Sequence, residues 1–342
     1  MAEFFIQRAR YILPLVTALT VLLLGSFVPG CGRGEDEGTK LRVVSTVSPI
    51  TSIVENIGGD RIELEGVVPE GVNSHIFEPQ PSLARLLADA DLIIANGLFL
   101  EQPTLELAEA NKKDETPILL LGDRSITREQ WQFDFSFPES EGHPNPHLWP
   151  DPKLGLKYAE LTQEQLASLD PDNMDYYKEN LEAFRERIDA MDAAIRQSVA
   201  TIPVENRRLV TYHDSWAYFA LSYGMEVIGA VQPSDFAEPS AREVADLIDQ
   251  VKELGLPAVF GSEEFPSDVL ETIAREGNTT FVDQLADDDL PGAPGDPDHS
   301  YLGLMRQNMR IMIPALGGNA AAFDDVDVSP VFEGESGAVY PQ

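Results

Sequence analysis

The chain is predicted to be an α/β protein of two lobes, each a roughly four-stranded, mostly parallel sheet flanked by helices, joined by one long rigid helix. Three observations carry this reading. Short β-rich runs alternate with helical stretches from Leu41 onward, and the same grammar begins again at Arg208. Between the two blocks Met174, Tyr177, Leu181, Phe184, Ile188, Met191 and Ile195 recur at spacings of three and four, which marks one apolar stripe of a helix.

In the first lobe, residues 41–171, the expected strands are Leu41–Val47, Ile62–Val68, Asp91–Ala95 and Pro117–Leu121. The last three are short, apolar and bounded by Gly, Pro or Asp, as suits parallel strands buried on both faces. Crossover helices are expected at Ile50–Ile57, Leu83–Ala90 and Leu100–Ala110. The stripe implies a linking segment, residues 172–202, whose helix from Asp172 to Ser198 would run roughly 40 Å. In the second lobe, residues 203–318, strands are expected at Arg208–Tyr212, Met225–Val231, Ala258–Gly261 and Thr280–Val282. Helices are expected at Ser215–Tyr223, Ala241–Leu254 and Ser267–Glu276, and Ser240-Ala241-Arg242-Glu243 is a capping box that starts the second of these.

The two ends read differently. Residues 1–30 have a basic start at Arg8 and Arg10 and an apolar run from Tyr11 to Phe27, the layout of a secretory signal peptide. The run is too short for a span of about 20 apolar residues. Cys31, the only cysteine, excludes a disulfide within the chain. Val28-Pro29-Gly30-Cys31 resembles the lipobox of bacterial lipoproteins, which implies that Cys31 is acylated. Residues 31–40 form a glycine-rich, polar tether. The tail, residues 319–342, is acidic with little periodicity and is expected to be disordered.

A formal charge of −34 argues against nucleic-acid binding and for a well-solvated surface. Chemistry is expected beyond the carboxyl ends of the strands, where open α/β sheets bind ligands. His75 lies in the loop after the second strand, His147 in the proline-rich exit from the first lobe, and His213 and Asp283 directly after strands of the second. Three of the five histidines therefore fall where binding residues belong, and imidazole is the commonest protein ligand of divalent transition metals. His299 reads as a surface residue, and Asp287, Asp288 and Asp289, though close to Asp283, read as a solvated acidic loop.

These residues sit in recognisable frames: His75-Ile76-Phe77-Glu78-Pro79, Ala90 to Gly97, Asn145-Pro146-His147-Leu148-Trp149-Pro150-Asp151-Pro152, His213-Asp214-Ser215-Trp216, Glu238-Pro239-Ser240 and Tyr301 to Met309. Through them the chain resembles the cluster A-I solute-binding lipoproteins of bacterial ABC importers for zinc and manganese, from Leu41 to nearly Gly318. The resemblance implies that His75, His147 and His213 are metal ligands and that Asp283 is the fourth, with Glu263 and Glu264 supporting without ligating. It further implies a monomer, an ABC permease as partner, and a lipid anchor on the outer face of the cytoplasmic membrane. The long histidine-rich insertion of many zinc members is absent, since only His143 stands in 134–146.

Three imidazoles and one carboxylate suit tetrahedral Zn²⁺, with Mn²⁺ as the alternative. A secreted zinc hydrolase would need an open coordination position and a base, for which Glu263 is the candidate. No His-Glu-x-x-His motif accompanies it. An adhesion lipoprotein with a structural metal is the third reading.

Overall fold

The structure is a computed structural model that describes residues 40–232, 239–262, 268–332, 334 and 338–340. The expected signal peptide, Cys31, most of the tether, Glu263 and Glu264 lie outside the described residues.

Two sheets form, each parallel throughout. The first contains β1 (Leu41–Ser45), β2 (Ile62–Gly66), β3 (Leu92–Ala95) and β4 (Ile118–Leu120) in the order β2-β1-β3-β4. Helices α1 (Ser48–Gly58), α2 (Leu83–Asp89) and α3 (Gln102–Asn111) connect them in turn, and the short α4 (Leu121–Ser125) follows β4. Successive side chains on each strand go to opposite faces. Val43, Leu92 and Ile94 therefore join the large core shared with α1, while Val44 and Ile93 pack with Leu87 and Ala108 from α2 and α3. The central strand β3 is covered on both faces and is apolar throughout, whereas the edge strand β2 alternates buried Ile62 and Leu64 with exposed Glu63 and Glu65.

Helix α5 (Pro152–Leu169) then leads back to α6 (Met174–Val199). Tyr177, Leu181, Phe184, Ile188, Met191 and Ile195 are buried along α6 as the stripe predicts, but Met174 at its start is 48% exposed. The core on this stripe takes in residues of both lobes, so α6 is a shared wall rather than a tether.

The second sheet repeats the first, with β5 (Arg208–Thr211), β6 (Glu226–Ala230), β7 (Ala258–Ser262) and β8 (Thr280–Leu285) in the order β6-β5-β7-β8. Around it pack α7 (Ala217–Tyr223), α8 (Ala241–Leu254), α9 (Asp268–Gly277) and α10 (Tyr301–Ala315). The capping box of α8 is present, with Ser240 accepting from Glu243 N and Glu243 from Ser240 N. Gly255 closes that helix in the left-handed conformation (φ 59°), which glycine adopts without penalty.

The tail departs from expectation. Phe323 is fully buried, Val326 and Val328 nearly so, Arg187 pairs with Asp327, and Arg310 pairs with Asp324. Its apolar residues are sparse, but Phe323, Val326 and Val328 reach the core, so this part of the tail has a defined place. His299, expected at the surface, is 8% exposed and lies 3.5 Å from Glu70 Oε1.

Candidate metal centre

In both sheets the chain runs from its first strand outward to one edge, then crosses back to the other side. Such reversal points leave a crevice beyond the carboxyl ends of the strands. The loops that leave there carry the histidines. His75 lies between β2 and α2 in a short 3-10 turn whose N-cap, Asn73, accepts from His75 N at 2.9 Å. His213 stands between β5 and α7, and His147 in the proline-rich segment entering α5.

The three rings converge. His147 Nε2 lies 3.1 Å from His75 Nε2 and 3.3 Å from His213 Nε2, and their candidate ligand atoms fall within 4.8 Å of one another. Zn–N bonds of 2.0–2.1 Å in tetrahedral geometry place two nitrogens about 3.3 Å apart. Two neutral imidazoles need one proton between facing nitrogens to hold this spacing, whereas a cation satisfies all three lone pairs.

The tautomer of His147 is set from behind. Asn145 donates through Nδ2 to Asp134 Oδ2 (2.7 Å) and to the Asp214 carbonyl (2.6 Å), so its Oδ1 is the acceptor. That oxygen receives the backbone N–H of His147 (2.9 Å) and faces its Nδ1 at 2.8 Å. Nδ1–H therefore donates to Asn145, and the Nε2 lone pair points into the cluster. Burial, then the neighbouring imidazoles, pushes the His147 pKa well below its ordinary value, and burial followed by His213 does the same to His75. Both rings are thus neutral, the form that binds metal. Phe137 and Trp149 wall the rings at 5.1 to 5.7 Å and keep water from the back of the site.

Asp283 is not brought to this cluster. β8 runs three residues past Val282, with an irregular register against β7 between Phe260 and Ser262, and Asp283 is exposed within the strand. The carboxylate that reaches the cluster follows the strand end, at Asp287: its Oδ2 lies 3.1 Å from His213 Nε2, and the residue is 4% exposed. Asp287 Oδ1 is buried without a hydrogen-bond partner among the described residues. Its backbone is held on both sides, because Asn308 of α10 pairs with Ala286 N and O (2.9 and 2.6 Å) and Trp149 Nε1 donates to Asp287 O (2.7 Å).

The acidic loop is therefore not solvated as expected. Ser74 Oγ donates to Asp288 Oδ2 (2.5 Å) and Gly71 N to Asp289 Oδ2 (2.7 Å), two bonds that cross from one lobe to the other beside the histidines. Burial, then Asp287, raises the Asp288 pKa, and burial raises Asp289 to about 6. Asp287, read from the sequence as part of a solvated acidic loop, and Asn145, read there only as part of the His147 motif, are the residues that the structure adds beside the histidines. The available signals were the apolar pair Leu285-Ala286, which carries the strand beyond Val282, and the Asn-Pro-His spacing itself.

On the outer side His75 faces a hollow of about 150 Å³ lined also by Phe99, Phe137, Glu141 and His143 among others. His143 is exposed and stacks on Phe99 at 4.1 Å, away from the cluster.

The family model described as zinc-uptake complex component A, periplasmic (ZnuA), matches residues 43–315. The manganese-binding lipoprotein MntA of Halalkalibacterium halodurans is 29% identical over 304 residues, which cover 87% of this chain and 97% of that protein. Among solved structures, the periplasmic zinc-binding protein TroA of Treponema pallidum is 28% identical with a TM-score of 0.73, covering 81% of this chain and 99% of that one. A manganese-bound periplasmic metal-binding protein of Candidatus Liberibacter asiaticus is 25% identical with a TM-score of 0.71, covering 81% and 100%.

Proposed function

The chain belongs to this family of metal-binding, substrate-binding components of ABC importers, and on that premise we propose that it captures one Zn²⁺ between its lobes and delivers it to a membrane permease. The ligands are His75, His147, His213 and, as the carboxylate in reach, Asp287. The observation that carries the reading is the meeting of three buried or half-buried imidazole Nε2 atoms at 3.1 and 3.3 Å. Three nitrogens and one carboxylate favour zinc, since manganese takes more oxygen. Manganese is the competing cargo, named for MntA and the Liberibacter protein.

Family members are transport proteins, and a carboxylate in the fourth position leaves no water-bearing site of the kind hydrolysis requires. Acylation of Cys31 would hold the protein at the outer face of the cytoplasmic membrane, where the permease takes the ion; relatives are named lipoproteins. Cys31→Ser is expected to release the protein or leave it as precursor. Competition titration of the mature protein tests the cargo: bound zinc should resist an equimolar challenge by manganese. Displacement by manganese would replace zinc with manganese in this assignment.

A further inference from the structure

The match to the family model ends at residue 315, and the described residues beyond it are held to the rest of the molecule. Arg306 Nη1 on α10 donates to Val326 O (3.1 Å), Ser300 Oγ to Val328 O (3.3 Å), and Val331 N to Asn56 Oδ1 on α1 (3.2 Å). At Val339 the tail adds one parallel bridge to the open edge of β2, where Val339 N donates to Leu64 O (2.8 Å) and Gly66 N to Val339 O (3.0 Å). The next residue turns inward. The Tyr340 hydroxyl donates to Glu55 Oε2 (2.6 Å), and its ring sits edge-on to His299 at 5.1 Å and against the cluster Ala286, Leu290 and Leu304.

Ala286, Leu290 and His299 all belong to the 286–300 loop that carries Asp287. Its first part is held at the metal centre by Asn308, Ser74 and Gly71. Its far part is held by Tyr340, whose backbone neighbour hangs on the sheet of the other lobe. We propose that residues 338–340 are a strap that keeps this loop closed on the metal centre and slows metal release. The proposal rests on the metal-binding reading above. Its physical content is simple: without the Tyr340 ring, buried Leu290 and His299 lose their cover, so opening the loop exposes less new apolar surface.

The test compares the full chain with Tyr340→Ala and with Val339→Pro, which deletes the N–H bonded to Leu64. Hydrogen exchange of the 286–300 loop is read in metal-free protein, and zinc dissociation into excess chelator is read in loaded protein. Both variants are expected to lose protection in the loop and to release zinc about tenfold faster, with association changed by less than about twofold. Unchanged loop protection would overturn the strap, and lost protection with an unchanged release rate would overturn its control of release. If Tyr340→Ala does not fold, Tyr340→Phe keeps the ring and loses only the bond to Glu55; release within about twofold of the parent then supports ring packing as the cause, and a full tenfold rise overturns it. Should the parent take up no zinc, the functional reading fails by itself, and loop protection still decides whether the strap holds.

Discussion

His147 shows how one residue can be functional only through its neighbour: Asn145 fixes which nitrogen bears the proton. Asn145→Ala should therefore weaken zinc binding about 10–100-fold while the three imidazoles remain, as loss of an outer hydrogen-bond partner generally does; calorimetric affinity measures this. His213→Ala should abolish most of the zinc-induced rise in melting temperature, because a ligand stabilises the native state only as far as it binds it. Asp283 and Asp287 separate two readings of the carboxylate. Asp287→Asn should reduce zinc affinity, whereas Asp283→Asn, altering an exposed strand residue, should leave it within about twofold; the reverse result would return the fourth ligand to Asp283. The pH dependence follows from burial. His75 and His147 resist protonation in the folded protein, while the unfolded chain takes up protons near the ordinary imidazole value of about 6.5. Stability from these rings is thus complete above about pH 6.5 and declines as pH falls below it. Melting of the metal-free protein between neutral and mildly acid pH should show this fall, reduced in His75→Asn.

At the scale of elements, α6 and α5 teach different lessons. The α6 stripe was legible because Tyr177, Leu181, Phe184, Ile188, Met191 and Ile195 repeat on one face, and all are buried. Helix α5 was not, since Gly155 and Thr162 interrupt its buried face. Gly155 is there to let α10 approach: an added Cβ would run into the Tyr301 hydroxyl, which donates to Trp149 O at 2.7 Å. Gly155→Ala should cost about 1–3 kcal/mol, the usual range for overpacking, as measured by chemical denaturation. The strands of the first lobe ended close to where Gly, Pro and Asp placed them. β8 did not, because Asp283-Gln284 looks like a strand end, whereas backbone pairing with β7 carries it to Leu285. That difference of three residues is why the histidines meet as their loops suggested while the carboxylate beside them is Asp287 rather than Asp283. The tail misled for a related reason: isolated apolar residues such as Phe323 and Tyr340 have no period to betray their burial.

Across the whole molecule, α6 offers no glycine or proline between Met174 and Val199 at which the lobes could hinge. Metal binding should consequently order the loops that carry ligands and move the lobes little. Hydrogen exchange with and without zinc should differ in residues 69–77 and 286–300 and agree along α6; a large metal-dependent change in radius of gyration would contradict this. The crevice between two repeated sheets, closed by Ser74 to Asp288 and Gly71 to Asp289, is thus a rigid frame with yielding edges. Zinc K-edge X-ray absorption of the loaded mature protein tests the ligand set in this crevice most directly. The expected spectrum has one zinc per chain, with imidazole multiple scattering from three histidines and carboxylate oxygen, at about 2.0–2.2 Å. A shell of oxygen alone, or a spectrum unaltered in His147→Ala, would contradict it.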